Sequence, residues 1–230
     1  MDKGLSTQEA KSLIESSSSF IDIIKFGFGT ALITKNLKEK VDLYKRHGIK
    51  VYLGGTLFEA FIVRNMFDEY CDFIQEIELD TVEISDGSIK MDHDKKCEYI
   101  SILAKKKITV FSEVGYKSSS KIIAPSKWIQ LMKKELAAGS WKVIAEARES
   151  GNVGLYRSGG EVRSDLIEEI LKKIPKEKIL WEAPQKKQQV FFIKLLGANV
   201  NLGNIGTNDV IPLECLRLGL RGDTFFNFLK

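Results

Sequence analysis

Short apolar runs recur along this chain about every 30 residues, and each of them ends in a charged or glycine-rich step. There are seven such runs, at residues 21–25, 51–53, 82–85, 109–112, 143–145, 179–181 and 200–202. Segments with helical spacing lie between them, so strands and helices alternate along the chain. Strands that are continuously apolar are typical of a parallel sheet with both faces covered. The pattern therefore predicts an α/β protein built from repeated βα units.

The length of the chain fits one such sheet. Its 230 residues, 43% of them hydrophobic, are enough for one sizeable core, and a TIM-type (β/α)8 barrel needs about 200 to 250 residues. We therefore expect a single (β/α)-barrel domain over residues 1–230. The seven runs fall one short of eight, which leaves a first strand truncated or missing at the N-terminus, or an open seven-stranded sheet. We favour the first, because an unpaired edge in a parallel barrel is a liability.

Glutamates stand at the C-terminal ends of four predicted strands, as Glu83, Glu113, Glu146 and Glu182. In a (β/α) barrel the side chains at these ends converge on one mouth, where active sites lie. A surface glutamate at a strand exit is the ordinary explanation for any one of them, but structural needs do not account for four. Carboxylates from neighbouring strands suit Mg²⁺. We expect a Mg²⁺ site with Glu83, Glu113 and Glu146 as ligands.

Basic residues, Lys25 and Lys117 among them, share the same rim, and they favour a phosphorylated or carboxylated substrate. Glycine-containing steps such as Gly54-Gly55-Thr56 offer backbone N–H groups to an anion at a loop–helix junction. TIM barrels often hold phosphate near the last two strands. The expected substrate-binding residues are Arg148, Ser150, Gly151, Asn204 and Arg221.

A proton donor has few candidates. The two histidines, His47 and His93, fall at helix ends, which argues against histidine acid–base chemistry and against zinc. Lys117 follows Glu113 by four residues, so a neighbouring charge and partial burial could tune its pKa. A solvent-exposed loop lysine is the alternative for Lys117.

Composition narrows the possible partners. The net charge is only +4 and the lysines are distributed, which argues against nucleic acid. Three cysteines without metal or redox spacing favour a reducing cytoplasm. No apolar stretch approaches the roughly 20 residues of a membrane span, and no signal peptide is visible. We expect a cytoplasmic homo-oligomer, with a trimer as the first arrangement to test, that binds small anions and neither nucleic acid nor membrane.

A series of motifs over essentially the whole chain resembles the phosphosulfolactate synthase family. The motifs are Asp2-Lys3-Gly4, Lys25-Phe26-Gly27-Phe28-Gly29-Thr30, Gly54-Gly55-Thr56-Leu57-Phe58-Glu59, Val82-Glu83-Ile84-Ser85-Asp86-Gly87, Glu113-Val114-Gly115, Glu146-Ala147-Arg148-Glu149-Ser150-Gly151, Glu182-Ala183-Pro184-Gln185-Lys186, Asn199-Val200-Asn201-Leu202 and Leu220-Arg221-Gly222-Asp223-Thr224-Phe225. No single motif is specific, but their combination along the chain is. In family members the first strand lies upstream of Asp-Lys-Gly.

The resemblance implies a carbon–sulfur lyase on a TIM-type barrel. The reaction it implies is Mg²⁺-dependent addition of sulfite to phosphoenolpyruvate, giving 2-phospho-3-sulfolactate, in coenzyme M biosynthesis or sulfolactate formation. Lys117 matches the place of the family's proposed acid, and we expect Lys25 and Glu113 to act with it. Two alternatives stay open: a related barrel enzyme acting on another phosphorylated enol acid, and a non-catalytic, stress-associated barrel homologue.

Overall fold

One parallel sheet organises the molecule. The computed structural model describes residues 1–115, 123–147 and 150–227, and within these ranges seven strands are hydrogen-bonded in chain order, β1 to β7. The strands are β1 Ile23–Phe26, β2 Lys50–Leu53, β3 Thr81–Ile84, β4 Thr109–Val114, β5 Lys142–Ala145, β6 Ile179–Glu182 and β7 Leu202–Gly203. All neighbouring pairs are parallel. The alternating βα arrangement expected from the sequence is therefore confirmed.

Helices connect successive strands. In the described ranges they are α1 Thr7–Ser17, α2 Leu37–Arg46, α3 Gly55–Ile62, α4 Phe67–Glu76, α5 His93–Lys105, α6 Pro125–Ala138, α7 Ser164–Leu171, α8 Lys186–Leu196 and α9 Val210–Arg217. Short 3₁₀ turns lie at Ser18–Phe20, Thr30–Leu32, Lys176–Lys178, Thr207–Asp209 and Phe225–Asn227. No helix in the described part of the chain is both long and apolar enough to span a lipid bilayer.

Local sequence explains where the helices start and stop. Helix α1 begins with a capping box, in which Ser6 Oγ accepts from the Glu9 N–H and the Glu9 carboxylate accepts from the Ser6 N–H. Asp92 caps α5 by accepting from the Asp94 N–H at 2.9 Å. Helix α6 starts at Pro125 and ends before Gly139, whose positive φ of 119° suits glycine.

The sheet has an apolar inner face that leads up to the predicted strand-end glutamates. A buried inner cluster contains Tyr52, Phe111, Ile144 and Leu180, with the Tyr52 and Phe111 ring centroids 4.9 Å apart. Side chains alternate along a strand, so residues two positions apart share a face. Three glutamates follow an inner-cluster residue by two positions, in the pairs Phe111–Glu113, Ile144–Glu146 and Leu180–Glu182. The same face thus changes from apolar to carboxylate at the strand ends.

The sheet is strongly curled. In a flat sheet, five interstrand spacings of about 4.8 Å would separate β1 from β6 by about 24 Å. Instead, the Nζ of Lys25 on β1 lies 3.2 Å from the Oε1 of Glu182 on β6. The two side chains together are too short to span the flat distance, so the sheet must bend around its inner face.

The N-terminal residues lie between the two edges of the curled sheet. Asp2 forms a single parallel bridge with Phe26, and its N–H donates to the Lys25 carbonyl at 2.8 Å. The Met1 nitrogen donates to the carbonyl of Ile205, just beyond β7, at 2.6 Å. A cavity of about 630 Å³ also lies between β1 and β7. The described residues therefore form a curled seven-stranded sheet, with one bridge at the place of the expected additional strand.

Candidate active site

A buried lysine joins two strand-end carboxylates. Lys25 Nζ lies 3.0 Å from Glu83 Oε2 and 3.2 Å from Glu182 Oε1, and all three residues are buried. Burial disfavours the charged ammonium, but the carboxylates of Glu83 and Glu182 outweigh it and raise the pKa of Lys25 well above its ordinary value. Lys25 is therefore a fixed cation at neutral pH and is unavailable as a general base.

Three carboxylates form a compact set of oxygen donors. Glu113, Glu146 and Glu182 each offer a carboxylate oxygen, and these oxygens lie within 4.8 Å of one another. All three side chains are buried. Oxygen donors at this spacing fit a hard divalent cation such as Mg²⁺, which takes few protein carboxylates and keeps several waters.

The composition of this set differs from the one expected on sequence grounds. Glu113 and Glu146 are in it, and Glu182 stands where Glu83 was expected. The Glu83 carboxylate instead contacts the Lys25 ammonium through one oxygen and accepts the Gly55 N–H through the other, at 2.8 Å. The structure thus places Glu83 beside the lysine at the edge of the carboxylate group.

Backbone N–H groups orient two of these carboxylates. The Gly55 N–H that binds Glu83 belongs to the first turn of α3, whose N-terminal dipole favours a negative charge. A Cβ at Gly55 would lie 2.4 Å from Ser85 Oγ and 2.7 Å from Glu83 Oε1, so only glycine fits there. The Gly55 N–H, which the sequence predicts to be available to a substrate anion, is therefore bound by the carboxylate of Glu83. Similarly, Glu182 Oε2 accepts from the Ala147 N–H at 3.0 Å.

The loop after β5 is fastened to the start of α8. The side-chain amide of Gln185 donates to the Ser150 carbonyl at 2.6 Å, and that of Gln188 donates to the Gly151 carbonyl at 2.8 Å. Gly151 has a positive φ of 64°. The predicted substrate-binding pair Ser150 and Gly151 is therefore held by Gln185, which belongs to one of the family motifs, and by Gln188, which lies outside them.

The other predicted binding residues are distributed differently. Asn204 follows β7 at the cavity between β1 and β7, and its buried Oδ1 has no hydrogen-bond partner among the described residues. Arg221 lies beyond α9 in a turn that its carbonyl closes with the Thr224 N–H at 2.8 Å. Lys117 and Arg148 lie outside the described residues.

The site consists of buried carboxylates and a lysine at the carboxyl ends of curled parallel strands, where (β/α)-barrel enzymes hold their active sites. Fold and site together define an α/β enzyme with a barrel-related sheet. The sequence model for (2R)-phospho-3-sulfolactate synthase (ComA) matches residues 1–223. The chain belongs to this phosphosulfolactate synthase family.

Similar proteins agree with this assignment. Phosphosulfolactate synthase of Methanothermobacter thermautotrophicus is 40% identical over 229 residues, covering 97% of this chain and 89% of that protein. Phosphosulfolactate synthase of Bacillus subtilis is also 40% identical over 229 residues, with coverages of 98% and 90%. Among solved structures, 3-hexulose-6-phosphate synthase from Salmonella typhimurium matches with a TM-score of 0.59 at 16% identity, covering 96% of this chain and 97% of that one. At that identity the last match concerns the fold alone.

Proposed function

We propose that this protein adds sulfite to phosphoenolpyruvate, with Mg²⁺ held by Glu113, Glu146 and Glu182, to give 2-phospho-3-sulfolactate. The observation that carries the proposal is the trio of buried carboxylates within 4.8 Å at the strand ends, in a chain of the phosphosulfolactate synthase family. In this proposal Glu83 serves as the partner of Lys25 and lies beside the metal ligands.

The proposed reaction balances without an oxidant or reductant. The sulfur lone pair of sulfite forms a bond to the methylene carbon of phosphoenolpyruvate. The π electrons of the double bond move toward the carboxylate as an enediolate, and a proton then adds to the carbon that bears the phosphate. When bound, Mg²⁺ supplies a Lewis acid that stabilises the charge developing on the substrate carboxylate.

The residues of the chain supply charge, orientation and the proton. Lys25 provides a fixed positive charge beside the carboxylates, which favours an anionic transition state. Its contact with one oxygen of Glu182, together with the Ala147 N–H on the other, fixes that carboxylate before substrate arrives. We assign the proton transfer to Lys117, which follows Glu113 by four residues and matches the place of the acid proposed for the family.

We also propose that the curled sheet belongs to a TIM-type barrel that is closed by a first strand at the place of residues 1–3, between β7 and β1. The Asp2 bridge to β1 and the Met1 contact beyond β7 support this closure. In this proposal the enzyme is a carbon–sulfur lyase that acts at the mouth of the barrel, and the family match and the strand-end carboxylates support it.

The direct test is a product assay. Purified protein is incubated with phosphoenolpyruvate, sulfite and Mg²⁺, and phosphosulfolactate is sought by mass spectrometry, with sulfite omitted as the blank. We expect EDTA to abolish product and added Mg²⁺ or Mn²⁺ to restore it. Glu113→Gln and Glu182→Gln should abolish turnover, whereas the exposed control Glu98→Gln should not. A folded, metal-replete protein that forms no product would refute the proposed activity.

A further inference from the structure

A buried ion network lies behind β4, on the side of the sheet that faces the helices. Lys96 of α5 is 1% exposed, and its Nζ lies 2.8 Å from Asp86 Oδ1 and 2.8 Å from Glu135 Oε1 on α6. The same ammonium donates to the Glu113 carbonyl at 2.5 Å. One lysine therefore ties two helices to the ends of β3 and β4.

Stability alone does not explain such a network. A buried ion pair loses the hydration of both charges, and well-packed apolar residues of similar volume often stabilise a protein as well or better. Burial opposes the charge on Lys96, but the carboxylates of Glu135 and Asp86 raise its pKa above the ordinary value, so the ammonium stays charged. A permanent charge with three acceptors is suited to holding those acceptors in one arrangement.

One of the acceptors belongs to a segment that shapes the carboxylate set. The Glu113 carbonyl begins the peptide that leads into Val114 and Gly115, while the Glu113 side chain is one of the three clustered carboxylates. Gly115 has a φ of +136°, and a Cβ built on it would lie 2.5 Å from Glu146 Cβ. The backbone held by Lys96 thus runs directly against Glu146. Any shift of that backbone would change the separation of Glu113 and Glu146.

We propose that Lys96 is a positioning residue that sets the spacing of the strand-end carboxylates for a divalent cation. It acts from behind the sheet, through the backbone after Glu113, and it does not touch the reacting atoms. The proposal rests on the metal site of the proposed function, but it concerns cation binding and can be tested without turnover.

The test compares Lys96→Met with Lys134→Met. Lys134 lies on α6 next to Glu135, and its exposed ammonium pairs with Asp94 at 2.9 Å. Mn²⁺ binding is measured by titration calorimetry without substrate, and thermal unfolding is followed by circular dichroism. We expect Lys96→Met to weaken Mn²⁺ binding at least tenfold and Lys134→Met to leave it unchanged. Where product is formed, Lys96→Met should lower kcat more than it raises KM for phosphoenolpyruvate.

A double variant separates positioning from folding. Lys96→Met alone leaves the Glu135 carboxylate buried without the Lys96 ammonium, so we expect it to lower the melting temperature. Lys96→Met/Glu135→Met removes both charges and should restore the melting temperature. We expect the double variant to be folded yet still at least tenfold weaker for Mn²⁺. A double variant with wild-type stability and wild-type Mn²⁺ affinity would overturn the proposal, as would wild-type protein that binds no Mn²⁺. Wild-type protein that binds Mn²⁺ in a Lys96-dependent way but makes no phosphosulfolactate would overturn the proposed reaction alone.

Discussion

Lys25→Met is the substitution for which the structure gives the clearest expectation. It removes the ammonium that lies 3.0 Å from Glu83 and 3.2 Å from Glu182, while the methionine fills most of the same volume. Two buried carboxylates then lose their common cation. Breaking a buried pair by removing one partner costs about 3 to 5 kcal/mol, because the remaining charge is uncompensated. With a urea m-value of about 3 kcal/mol/M, the midpoint should fall by about 1 to 2 M.

The pH dependence of this loss has a definite sign. The raised pKa of Lys25 means that its stabilisation is fully present below its unfolded pKa of about 10.4 and is lost only as pH rises through the higher folded value. Because that pKa lies above the range from pH 5 to pH 8, the ammonium keeps its charge throughout this range, and the contribution of Lys25 to the stability of the wild-type protein should not change between these pH values.

Urea unfolding at pH 8, 7, 6 and 5 measures both effects. Lys38→Met is the matched control, because Lys38 forms an exposed ion pair with Glu78 and its loss should leave the midpoint within error. Lys25→Met/Glu182→Gln should recover part of the lost stability, because only one of the two carboxylates that contacted the ammonium is still charged. A Lys25→Met midpoint equal to that of Lys38→Met at pH 8 would refute the assignment of Lys25 as a buried fixed cation.

Three other predictions test separate parts of the molecule. Lys117→Ala should lower kcat by roughly 10² to 10⁴ with little change in KM, and Lys117→Arg should not rescue it, because guanidinium does not release its proton; a near-normal kcat would remove Lys117 from the mechanism. Asp2→Asn should destabilise the fold by about 3 kcal/mol at pH 7, since Lys40 Nζ lies 2.7 Å from its carboxylate and both side chains are fully buried. Burial opposes the charge on Asp2, but Lys40 and the N–H groups of Gly4 and Leu5 lower the pKa of its carboxyl group. The stabilisation by Asp2 is therefore present above about pH 4 and disappears as pH falls through the lower folded pKa. A stability difference between wild type and Asp2→Asn that is the same at pH 7 and pH 2 in urea unfolding would contradict this. Gly55→Ala should cost about 1 to 3 kcal/mol by overpacking against Ser85 and should lower activity, whereas a melting temperature and kcat equal to wild type would show that the α3 turn can shift.

One helix does not follow from the alternation of strands and helices, although its signal is present in the sequence. Helix α4 is a second helix between β2 and β3, after α3. Phe67, Tyr70 and Ile74 recur at helical spacing, and Tyr70 and Ile74 are buried. The expectation of one helix between successive strands leaves no place for it.

The sequence by itself determined which face of each strand its glutamate occupies. Residues two apart share a face of a strand, so the positions of Glu113 and Glu146 above the apolar inner residues follow from local geometry. Because the alternation of strands and helices predicts a parallel sheet, the carboxyl ends of the strands had to lie at one edge of that sheet. For these two glutamates, spacing along the chain was sufficient.

Only the tertiary structure decided which further carboxylate joins them. Glu83 and Glu182 carry the same strand-end pattern, but the curl of the sheet brings β6 within reach of β1, and the Gly55 N–H turns Glu83 toward Lys25. The Lys96–Glu135 pair likewise joins two helices that local patterns describe separately. Curvature and helix packing depend on how the whole chain fills its core, and burial fixes which charges must pair, so no local pattern could assign these contacts.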